Sequence, residues 1–116
     1  MALPITGQLA ALDNAGDATL RDIYTVPVSR AADVNITIAN RSNVSTSIRI
    51  AHIKSGVAAG VTLEDYVLYD LPTDALSSNF APIEKSGVLM QAGDTIAVYS
   101  SVSAVSVQIK GIEEDA

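Results

Sequence analysis

The 116 residues include no cysteine and no tryptophan, and only one histidine and one phenylalanine. Without thiols there can be no disulfide, no thiolate nucleophile and no cysteine-held zinc or iron–sulfur site, and the fold owes nothing to the redox compartment. Charge is scarce as well. Charged residues make up 17%, with a net charge of −6 and a sequence pI near 4.4. Tight binding to nucleic acid or to an anionic membrane surface needs clustered Lys and Arg, so neither is expected as a partner. No run approaches the ~20 apolar residues that cross a bilayer. The opening residues, Met1 to Leu12, carry no charge and lack the basic start of a signal peptide.

What the chain does have is alternation. Val34, Ile36 and Ile38, then Ile96 and Val98, then Val105, Val107 and Ile109 place an apolar residue at every second position, the pattern of half-buried strands. Ile48 and Ile50 extend the set around Arg49. Turn formers punctuate these runs at Asp13 to Asp17, Asn40 to Asn43 and Gln91 to Asp94. Strands are therefore expected near 19–26, 33–39, 45–54, 66–71, 86–90, 95–100 and 105–112, with 33–39/45–54 and 86–90/95–100 reading as hairpins. A short helical turn capped at Thr62 is expected within the small-residue loop that starts at Ser55. Seven or eight short strands and no long helix predict an all-β fold, an antiparallel β-sandwich or jelly roll. Residues 1–12 read as an N-terminal arm or edge strand, and 13–116 as one sandwich domain. Leu3, Ile5, Leu9 and Leu12 of the arm need a surface to cover, their own domain or another subunit.

Little in the chain could carry chemistry. His52 shares a face with Ile48 and Ile50 and reads as a structural histidine, and neither a Gly-x-Ser-x-Gly elbow nor a phosphate-binding glycine loop occurs. Asp13 to Asp17 lacks the spacing and closing Glu of a calcium loop. Glu64, Asp65, Asp70 and Asp74 are near enough in sequence to hold a cation, but read more simply as a solvated rim, and Glu113-Glu114-Asp115 as a solvated tail. Four Tyr and one Phe are a poor endowment for a sugar-stacking platform. No catalytic, metal-binding or cofactor-binding residue is expected. Charge is unevenly spread: four acids face five bases through residue 58, and nine acids face two bases beyond it. This makes Arg21, Arg30, Arg41 and Arg49 candidates for charge-directed contacts.

The order of elements adds a second line of inference. It runs from Tyr24-Thr25-Val26-Pro27 to Val34-Asn35-Ile36-Thr37-Ile38 and Asn40-Arg41-Ser42, then Asp65-Tyr66-Val67-Leu68-Tyr69-Asp70. Val88-Leu89 and Ala92-Gly93-Asp94-Thr95-Ile96-Ala97-Val98-Tyr99-Ser100 follow, and Val105-Ser106-Val107 leads to Gly111-Ile112-Glu113-Glu114. Over residues 20–114 this order resembles small virion structural proteins of tailed bacteriophages, especially those of marine and cyanobacterial hosts. The resemblance implies a non-enzymatic particle component made in the host cytoplasm. The expected role is a decoration or cement protein on the outer surface of the capsid, with the major capsid protein and its own copies, in a homotrimer, as partners. The alternative it leaves open is a tail-tip, fibre or knob component that binds a host-surface glycan. Within that expectation the arm residues Leu3, Ile5, Leu9 and Leu12 would supply apolar contacts, and the four arginines charged ones.

Overall fold

The structure is a computed structural model that describes residues 5–12, 19–73, 83–102 and 104–115. Among the described residues eight strands are present: β1 (Ile5–Leu12), β2 (Arg21–Thr25), β3 (Arg30–Asn40), β4 (Thr46–Ile53), β5 (Tyr66–Thr73), β6 (Ile83–Met90), β7 (Thr95–Ser100) and β8 (Val105–Asp115). They form two antiparallel four-stranded sheets, in the order β1-β8-β3-β6 and β2-β7-β4-β5. The first four strands pair with the last four in reverse order, β1 with β8, β2 with β7, β3 with β6 and β4 with β5. Such a chain is one long hairpin rolled up on itself, which is the eight-stranded jelly roll.

The expected core is the observed core. Val34, Ile36, Ile38, Ile48, Ile50, Ile96, Val98, Val105, Val107 and Ile109 are all between 0 and 1% exposed and face one another between the sheets. Leu9 and Leu12 of β1 pack against this cluster from the edge. The N-terminal segment is thus an edge strand over residues 5–12, and its inward leucines cover their own domain. Leu3 lies outside the described residues.

Neither expected hairpin forms. β3 and β4 lie in different sheets, as do β6 and β7, so Arg41 to Ser45 and Gln91 to Asp94 carry the chain across the sandwich edge. A turn-rich segment between two alternating runs fits a hairpin and an inter-sheet corner equally well. The choice is made by partners distant in sequence, here β8 for β3 and β7 for β4.

A second, smaller cluster lies on the outer face of the β2-β7-β4-β5 sheet. Ala51, Ile53 and Ala97 are buried there beneath Leu20, Ala58, Val61 and Tyr66. Their cover is the connection from β4 to β5, which holds two short 3₁₀ turns, Ala58–Gly60 and Leu63–Asp65. Asp22 accepts the Ala58 N–H at 2.8 Å, and Asp65 reaches back to the Thr62 N–H at 2.8 Å, one arm of a capping box. The capped turn expected at Thr62 is present.

Regularity is distributed unevenly between centre and edge. The central ladders β3·β8 and β4·β7 run without a register shift, whereas each ladder to an edge strand (β1, β2, β5, β6) carries at least one bulge or irregularity. At the middle of the β1-β8-β3 trio, Gly111 sits opposite both Gly7 and Val34. A Cβ on Gly111 would lie 2.1 Å from the Asp33 carbonyl oxygen and 2.8 Å from the Val34 Cα, distances that only a displaced backbone could relieve.

Two substitutions separate these contributions. Ile36→Ala, at a site fully closed to solvent, is expected to cost about 2–5 kcal/mol in denaturant unfolding; a loss below ~0.5 kcal/mol would mean that the residue does not face the core. Gly111→Ala forces a methyl group into the β3 backbone and is expected to cost at least about 3 kcal/mol, the upper end for overpacking.

Candidate functional site

Polar side chains close the two ends of the sandwich. At the end where β2 turns into β3, Glu113 continues the inward series of Val105, Val107 and Ile109, and it is buried. The Tyr24 hydroxyl donates to Glu113 Oε2 across the sheets. Arg30 Nε donates to Glu113 Oε1 at 3.3 Å and Arg30 Nη1 to Asp115 Oδ1 at 2.8 Å. Burial, reinforced by the neighbouring Glu113 carboxylate, pushes the Tyr24 hydroxyl well above its ordinary pKa, so the phenol stays a neutral donor. The expected solvated tail is therefore corrected at Glu113: this carboxylate is inside because a charge can be buried when it is paired and hydrogen-bonded. Arg30, a candidate for surface contact, is likewise buried.

Asp94 is a second junction at the same end. It occupies the last position of the turn from Gln91, in which Gly93 takes φ +85°, the left-handed value that a type II turn needs at its third residue. Its carboxylate accepts from the backbone N–H groups of Ser55 and Gln91, each at 3.1 Å, and contacts His52 Nε2 at 2.9 Å. Its backbone carbonyl accepts from Val26 N–H at 3.0 Å. One residue thus ties together the ends of β2, β4, β6 and β7. Burial alone would raise the Asp94 pKa, but the hydrogen bonds from His52, Gln91 and Ser55 outweigh it and hold the group below the usual carboxylate range. His52, in register with Ile48 and Ile50 as expected, is a partner of this junction. At the opposite end, Asn40 bonds to Ser42 and Val44, and Thr46 to Ser100 and Ser101.

Among the described residues, a cluster of aromatic and charged side chains lies on the outer face of the β2-β7-β4-β5 sheet. Arg49 faces Tyr99 across β4 and β7. On its other side β5 bulges, so that Tyr69 and Asp70 together oppose Arg49 between the pairs Ile48/Leu71 and Ile50/Leu68. Asp70 adopts φ +54°, a left-handed conformation that a short polar side chain tolerates better than most. The guanidinium lies 4.2 Å from the Tyr69 ring centroid and 4.6 Å from that of Tyr99. Its Nε reaches Asp70 Oδ1 at 2.6 Å and its Nη2 reaches Oδ2 at 3.3 Å. Tyr66 meets Tyr69 edge-on, with centroids 4.9 Å apart. Tyr69 remains 53% exposed.

The candidate contact residues do not converge on one patch. Arg30 and Arg41 flank opposite ends of β3, Arg41 donating to Ser106 Oγ at 2.8 Å. Arg21 is half-buried on the edge strand β2, and Arg49 stands in the tyrosine stack. Ile5 is exposed, whereas Leu9 and Leu12 are partly buried. Of the acidic group, Asp65 caps its own turn, Asp70 holds Arg49, Glu64 is exposed, and Asp74 lies outside the described residues. Among the described residues no three His, Asp or Glu side chains gather as a metal ion would require. The sequence marks Asp94 only as a turn former, and neither its junction with His52 and Ser55 nor the buried pairing of Glu113 is expected from it; the period-two register from Val105 is the signal for Glu113. No protein-family model, curated protein or solved structure matches the chain.

The Asp94 junction predicts a pH dependence with a definite sign. A carboxylate whose pKa is lower in the folded than in the unfolded chain stabilises the fold fully above the unfolded value of about 3.9, and loses that contribution as pH falls through the folded value. Asp94→Asn is expected to lower the melting temperature at neutral pH, and its deficit relative to the parent is expected to shrink below about pH 4. Parallel thermal melts of the two proteins check this; a deficit that stays constant into acid would remove Asp94 ionisation from the account.

Proposed function

We propose that this chain is a structural protein of a tailed-phage virion, a decoration or cement protein that binds the major capsid protein on the outer surface of the assembled head. Three-fold self-association is its favoured working state. The observation that carries the reading is the strand order, since the eight-stranded jelly roll is an architecture used by viral capsid and lectin domains. It joins the resemblance over residues 20–114 and accords with a lightly charged surface.

The proposed mode of attachment is apolar. Exposed pairs of opposite charge are worth roughly 0–1 kcal/mol each, and the four arginines are dispersed over the fold. By contrast, Val28, Leu89 and Ile5 are 88, 72 and 51% exposed, and all three lie toward the end of the sandwich where β2 turns into β3. Ile5 is the one described arm residue of the original set that stays available for contact. Deleting residues 1–12 would remove an edge strand along with any contact it makes, so single exposed side chains are the better probes. A second reading, a tail-tip, fibre or knob component that binds host-surface glycan, is favoured by one specific observation: Arg49 held between the half-buried Tyr99 and the exposed Tyr69.

A decoration protein stabilises a shell only if it binds the assembled surface better than free subunits. Particles stripped of the protein are expected to break at a lower temperature than those to which it is added back. Rebinding is expected to persist at ~0.5 M salt, where screening shortens to a few ångströms, and to weaken for Leu89→Asp and Val28→Asp. Equal breakage temperatures with and without the protein would leave adhesion as the function.

A further inference from the structure

The chain is poor in aromatic residues, yet two of its four tyrosines, Tyr69 and Tyr99, flank a single arginine on one outer sheet face, and a third, Tyr66, meets Tyr69 edge-on. We propose that this cluster is a binding site for a neutral carbohydrate, with the part of the Tyr69 ring that Arg49 and Tyr66 leave uncovered as the apolar contact and the Arg49–Asp70 pair as the polar recognition group. The inference rests on the adhesive reading of the chain and requires nothing of capsid attachment.

The complementarity is chemical. A pyranose ring presents an apolar C–H face and, at its rim, vicinal hydroxyls that both donate and accept. An aromatic side chain with an apolar body and a polar tip matches the face. A guanidinium supplies donors in a fixed fork and a carboxylate supplies acceptors only, so an Arg–Asp pair side by side offers both roles to adjacent hydroxyls. The side chains of Arg49 and Asp70 are 27 and 46% exposed, so each retains surface for a ligand while holding the other.

The arrangement is also pre-organised, which reduces the ordering cost of binding. Arg49 is clamped between two rings, and Asp70 is held on it by a bulge that places a non-glycine residue at positive φ. Bulges re-aim side chains and recur beside functional sites, and backbone strain of this kind persists where the surroundings over-determine it. A regular β5 would alternate Tyr69 and Asp70 between opposite faces; the bulge sets both opposite Arg49. The ligand should be uncharged. The positive charge of Arg49 is already matched by Asp70, and the chain from residue 59 on is strongly acidic, which disfavours uronic or sialic acids.

The test uses the intact protein and three defined probes: maltotetraose, cellotetraose and chitotetraose. Ligand-observed NMR and tyrosine ring-proton shifts, up to ~10 mM sugar, detect affinities in the millimolar range typical of weak sites. At least one probe is expected to bind, to shift Tyr69 and Tyr99 resonances, and to be insensitive to salt. Tyr69→Ala and Arg49→Lys are each expected to weaken it about tenfold or more, whereas Lys110→Ala on the other sheet is expected to leave it unchanged. Thermal melts confirm that each variant is folded; if Arg49→Lys fails to fold, Asp70→Asn replaces it. Sugar binding unaffected by Tyr69→Ala overturns the site but leaves the adhesive reading standing. No binding of any probe overturns both. A third outcome, conversion of an oligomer to a monomer by Tyr69→Ala, overturns the proposal in favour of a protein interface.

Discussion

The ladder between β3 and β8 is the constraint on which the rest of the fold depends. It pairs Arg30 with Asp115 at one end and Asn40 with Val105 at the other without interruption, and it joins residues separated by most of the chain. Once this pairing is made, β1 must lie on the far side of β8 and β6 on the far side of β3. The apolar faces of both central strands then need a second sheet to cover them. Gly111 shows how tightly the ladder is set, since the β3 backbone occupies the space where any other residue would place its Cβ.

Two sheets packed face to face leave a sandwich open at its ends, where backbone groups leave the ladders and must find other partners. This chain meets that need with side chains. Glu113, Tyr24 and Arg30 link the two sheets through a charged group buried at the rim of the core. Asp94 collects backbone donors from two separate connections. Such groups add little net stability over an apolar filling, but removing one partner strands the other in a poorly solvated site. Their effect is to allow one arrangement of the corners and to disfavour others.

The sequence showed the layers but not the connections. Ten core residues were legible because alternation is a local property, and in a half-buried strand it survives whatever the strand pairs with. The hairpins failed for the same reason: Asn40 to Asn43 and Gln91 to Asp94 mark a change of direction, not the plane in which the chain turns. Glu113 was hidden by composition, because three acids in a row look like a tail even when the first of them keeps the inward phase of Val105, Val107 and Ile109. Arg30, six residues after Tyr24, gave no sign that both would meet the same carboxylate. The tyrosine cluster was hidden by a bulge, since a strict period of two separates Tyr69 from Asp70 and gives neither a reason to meet Arg49.

Every strand with an open edge departs from regular pairing, while the two central ladders do not. An unbroken edge is a template onto which a neighbouring chain can add its own strand. A bulged edge presents amides out of step with any straight partner and so resists this growth. Where copies of this chain are gathered densely, then, the bulged edges favour contact by side chains over contact by backbone.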